Sequence, residues 1–155
     1  MSPLWHIDHA TLRDVCNDAV ALEAELATAE PLERIWMLRL LGRLDEAREE
    51  GIAALRKSSD RFRPLLLLAD VYRWLDSFDI AAPLQREALN LAVGTQREPV
   101  ARQHIGKRLF DEGRYKEAAE QFRLALDMRI ALSKPDSLVD SSRMALVRAQ
   151  ELATP

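Results

Sequence analysis

Apolar residues return along most of this chain at steps of three and four, the spacing of a helix with one buried face. The pattern is clearest from Gly106 to Leu126. Ile105, Leu109 and Phe110 share one face, and the run then breaks at Asp111–Arg114. Beyond the break, Tyr115, Ala118, Ala119, Phe122, Ala125, Leu126 and Ile130 form a second stripe. Small residues (Gly106, Ala118, Ala125) stand where two helices can approach, and large ones (Leu109, Tyr115, Phe122) where a gap needs filling. The stretch reads as a helical hairpin that buries its stripes against further hairpins. The same reasoning places helices at about 31–41, 44–57, 61–75, 79–93, 97–112 and 115–133, with a final one over 136–152. Residues 8–29 read as a leading helix: Leu12, Val15, Cys16, Ala19, Leu22 and Leu26 share a face, and Asp8 is its expected cap.

The hairpin has copies upstream. Gly113-Arg114-Tyr115-Lys116-Glu117-Ala118 followed by Ala125-Leu126 is echoed by Gly42-Arg43-Leu44-Asp45-Glu46-Ala47 with Ala54-Leu55. A second echo is Asp76-Ser77-Phe78-Asp79-Ile80-Ala81 with Ala88-Leu89. The turn residues 42, 76 and 113 are 34 and 37 positions apart. A helix-turn-helix unit at that period resembles the tetratricopeptide repeat, in its longer, kinesin-light-chain-like variety. The third unit carries the resemblance best, through Ile105, Gly106, Leu109, Tyr115, Ala118, Phe122 and Ala125. The second places Gln85 and the first Gly51 where the family has an aromatic, and Pro83 suggests a late start or bend in its helix. At Gly51 a neighbouring side chain must fill the space.

The resemblance implies an all-α, right-handed superhelical α-solenoid of about three repeats with capping helices at both ends. As one domain over 1–155, it divides into a cap (1–29), repeats at 30–60, 61–97 and 98–134, and a closing cap (135–155).

Composition adds exclusions. Ala, Leu, Glu and Arg dominate, and strand-length runs of β-branched residues are missing. No apolar stretch is long enough to span a membrane, and Met1-Ser2-Pro3-Leu4-Trp5-His6 lacks the features of a secretory leader. The single cysteine, Cys16, lies on an apolar face as a small buried hydrophobe and suits a cytoplasmic setting. The net charge of −3 argues against nucleic acid as partner. His6 and His9 are too isolated to make a metal centre, the glycines form no phosphate loop, and no nucleophile constellation appears. Neither enzymatic activity nor a cofactor is expected.

What remains is the inner wall. In stacked hairpins the first helices of successive units line a concave channel. The family register aims Trp36 and Arg39, Asp70 and Arg73, and Lys107 and Phe110 into it, with Leu40, Arg63, Leu66, Trp74, Gln103 and Asp111 beside them. An aromatic and cationic channel suits a protein or peptide segment that offers apolar anchors and acidic groups. The dicarboxylate clamp of one family subtype is not reproduced, since its positions hold Leu32, Trp36, Asp70, Gln103 and Lys107. The expectation is therefore a non-catalytic interaction adaptor or scaffold. A self-assembling homo-oligomer, or a small-ligand or peptide sensor, is the alternative.

Overall fold

The computed structural model describes residues 3–154; Met1 and Ser2 of the opening stretch, and Pro155, lie outside the described residues. Seven of its helices fall where the periodicity places them: α2 (Pro31–Leu40), α3 (Leu44–Lys57), α4 (Phe62–Trp74), α5 (Phe78–Ala92), α6 (Glu98–Asp111), α7 (Tyr115–Ala131) and α8 (Asp136–Ala153). A short helix α1 (Ala19–Leu26) precedes them. Helices pack in consecutive pairs, α2 on α3, α4 on α5, α6 on α7, with α8 against α7 and α1 against α2. The first helices also touch across pairs, α2 with α4 and α4 with α6. This is an all-α solenoid of stacked helical hairpins. No helix among the described residues is long and apolar enough to cross a membrane.

The turns explain the period. Gly42, Asp76 and Gly113 have φ of 79°, 58° and 79°. Each lets the next amide reach back five residues: Arg43 to the Leu38 carbonyl (2.9 Å), Ser77 to Tyr72 (2.8 Å) and Arg114 to Leu109 (2.9 Å). These are Schellman closures, in which a left-handed residue satisfies the last carbonyls of a helix. Glycine adopts that conformation without a Cβ penalty, and aspartate is among the few side chains that tolerate it.

The core lies in three clusters. One joins α1 to α2 through Leu22, Leu26, Ile35 and Leu38. One centres on Phe62, Leu65 and Ala88, and one on Leu109, Phe110 and Phe122. Phe122 is fully buried against Gly106, where a Cβ would stand only 2.5 Å from its ring. Leu68 packs against Gly51 and fills the space left by the missing aromatic. Helix α5 starts at Phe78 and runs through Pro83, so the expected late start does not occur. The proline leaves the Asp79 carbonyl without its helical donor, and Asp79 lies exposed to water.

The leading helix is corrected. Residues 8–18 are not helical: Trp5–Ile7 (β1) and Asp14–Cys16 (β2) form a two-stranded antiparallel hairpin, with His6 opposite Val15. Asp8 caps a turn instead of a helix, accepting from the amides of Ala10 and Thr11 at 2.8 Å each. Leu12, at φ 58°, then turns the chain away from helical geometry. The real helix cap is Asp18, which accepts from the Ala21 amide at 3.0 Å. Cys16 is only half-buried, packed against the first core cluster.

Candidate functional site

The hairpin lies along the inner wall that the register had left open. At its strand end, Trp5 meets the Trp36 ring edge to face (centroids 5.4 Å apart). Asp14 Oδ2 accepts from Arg39 Nη2 at 3.0 Å and from Trp36 Nε1 at 3.3 Å. In the middle, Arg13 donates to Asp111 at 3.1 Å and lies 5.4 Å from the Trp74 ring centre. At the loop end, Leu12 is buried with Leu109, Phe110, Ala145 and Ala149, and Arg148 of α8 donates to the Ala10 carbonyl at 3.1 Å. The segment is a strap that touches the first hairpin pair and the last helix.

Beneath it runs a chain of buried charge. Arg73 donates to Asp111 at 2.8 Å and to Asp70 at 3.3 Å. Nδ1 of His104 sits 2.9 Å from Asp70 Oδ2. The Arg39 guanidinium stacks on Trp74, 4.5 Å from the ring centre. Burial works against ionisation of Asp70, but His104, Arg73 and Arg39 beside it outweigh that and hold the carboxyl well below its ordinary value. Asp14 follows the same logic: burial pushes it up, and Arg39, Lys107 and Trp36 together bring it below the usual range. For Lys107, burial lowers the ammonium from its ordinary value more than Asp14 and Asp70 raise it.

Of the nine wall residues read from sequence, six line one cavity of about 300 Å³ between strap and helices: Trp36, Arg39, Arg63, Asp70, Arg73 and Lys107. Trp74 lies under Arg39 and Arg13. Phe110 is buried beside Leu12 and edge to face with Tyr115. Gln103 is turned toward α8, where its Oε1 accepts from the Ser142 hydroxyl at 2.7 Å. Leu40 and Leu66 are core residues. The wall is thus not an open channel; only Arg63 among the nine is exposed.

The sequence reading missed Trp5, Leu12, Arg13 and Asp14. A signal existed: Trp5 and Ile7, then Asp14 and Cys16, alternate with period two around the turn residues Asp8 and Thr11. It competed with a helical stripe that shares Leu12, Val15 and Cys16. His6 is engaged with Asn17 (2.6 Å), and no group of three His, Cys, Asp or Glu among the described residues is placed to hold a metal.

A solenoid of paired helices with a polar inner wall defines a helical-repeat protein. Residues 100–138, which comprise nearly all of α6, the whole of α7 and the start of α8, match the family model of the tetratricopeptide repeat. The match falls on the third unit, the one whose residues resemble that repeat best. Comparison with curated proteins and with solved structures gave no match. Tetratricopeptide repeats generally mediate protein–protein interaction, and their fold is typically a non-catalytic scaffold.

Proposed function

We propose that this chain is a non-catalytic adaptor whose inner wall grips an extended, acid-bearing segment of a protein partner, which takes the place now held by the strap. One observation carries the reading: the wall already grips such a segment, its own Asp14, through a buried arginine and a tryptophan N–H. Charge-assisted bonds of that kind fix both position and direction of a strand, and aromatic anchors beside them supply contact area. The strap itself is modest. Its strands are three residues each, and Trp5 and Val15 remain more than a third exposed.

The test is recovery of the partner on tagged full-length chain from its own cell extract. Arg73→Glu is unsuitable, because Arg73 is buried between two carboxylates. Arg63→Glu is suitable, because that side chain is exposed and makes no ion pair among the described residues. A partner crosslinking to position 63, enriched by Asp14→Ala and lost with Arg63→Glu, supports the reading. Undiminished capture by Arg63→Glu and by Trp36→Ala places the partner elsewhere.

A further inference from the structure

The cavity under the strap holds two cationic groups that the protein does not satisfy. Arg39 is 3% exposed, and while its Nη2 serves Asp14, its Nη1 is buried without any hydrogen-bond partner. Lys107, whose ammonium is desolvated, makes no ion pair and no hydrogen bond among the described residues. Both line the same space of about 300 Å³. An orphaned buried donor destabilises the fold, the more so when it is charged. That cost at Arg39, with the unpaired Lys107 lining the same space, marks a place suited to an anion.

Charge and shape restrict the anion. Four cations line the cavity (Arg39, Arg63, Arg73, Lys107) against three carboxylates (Asp14, Glu33, Asp70). One negative charge balances this set, whereas a phosphate dianion would meet three carboxylates with no cation to spare. The rest of the lining is His104 with apolar and aromatic groups: Trp5 and Ile7 come from the strap, Trp36 and Leu67 from the helices. The volume is at the lower end of small-molecule sites.

We infer that this cavity binds a small organic monocarboxylate, its carboxylate bridging Arg39 Nη1 and the Lys107 ammonium and its apolar body lying between Trp5, Trp36 and Leu67. Arg63 stands exposed among the lining residues and adds attraction. The inference does not depend on partner capture, since the strap stays in place and supplies part of the site.

The test uses full-length protein titrated with sodium phenylacetate, followed by calorimetry and by the indole N–H resonances of Trp5 and Trp36. Saturable one-to-one binding in the millimolar range or tighter is expected, with 2-phenylethanol and inorganic phosphate weaker by about tenfold or more. Lys107→Met should melt no lower than the parent, because it removes a partly desolvated charge that has no ion-pair partner among the described residues, yet lose about tenfold or more in phenylacetate affinity. No saturable binding by the parent, equal binding of 2-phenylethanol, or undiminished binding by Lys107→Met overturns the assignment and leaves a cavity filled by water.

Discussion

The α6–α7 pair and the α4–α5 pair meet one packing demand with opposite chemistry. Nine residues after the turn, the third pair places Phe122 and the second places Gln85, both fully buried. Phe122 fills its space by volume and needs the bare backbone of Gly106 across from it. Gln85 fills its space by valence: it donates to the His104 carbonyl at 3.1 Å and accepts from Arg108 Nε at 2.7 Å. The first pair gives a third answer, Gly51, with Leu68 of the next pair leaning in. Seven residues before each turn stand Ile35, Ala69 and Gly106, so the side chain there shrinks as its counterpart grows. The period conserves summed size and lets the chemistry vary.

Five substitutions sharpen or break that comparison. Phe122→Ala removes the largest fully buried side chain and leaves a cavity, so urea melts should show a loss of about 3–5 kcal/mol. Gly106→Ala should cost about 1–3 kcal/mol by forcing the Phe122 ring aside. Combining it with Phe122→Leu should cost less than the two changes added, and strict additivity would mean the residues do not share one space. Gln85→Leu keeps the volume but strands the Arg108 Nε and takes the second donor from the His104 carbonyl, for about 1–3 kcal/mol in the same melts. A loss smaller than about 0.5 kcal/mol would show that valence contributes nothing there. Gly51→Ala should move the midpoint least. Its Cβ meets the mobile Leu68 Cδ1 at 2.9 Å, and the helix gains back up to about 1 kcal/mol from losing a glycine. A loss above about 2 kcal/mol would make Gly51 as exacting as Gly106.

These contrasts also show what the sequence discloses. Repeating turns at 42, 76 and 113 and repeating stripes are local facts, and the seven helices α2–α8 followed from them within two residues at each end. The need for a filler at Gly51 was readable because the family supplied the missing shape. The strap was not. Its residues satisfy a helical stripe and a strand alternation alike, and what decides between them is remote: Asp111 for Arg13, Arg39 for Asp14, the α6–α8 junction for Leu12. The cationic and aromatic character of the wall residues is written in the sequence, and six of the nine line one cavity. Their burial is not, because the segment that covers them lies outside the repeat and outside its periodicity.

An unstrapped array of stacked hairpins is quasi-linear: each unit meets only its neighbours, and order can spread from any point. Here the Arg13–Asp111 and Arg148–Ala10 bonds join residues 98 and 138 positions apart. Closing loops of that length comes late and slowly, since the chain must surrender entropy before the contacts form. The strap thereby turns a one-dimensional stack into a ring of dependence, in which the two ends of the polypeptide mature together.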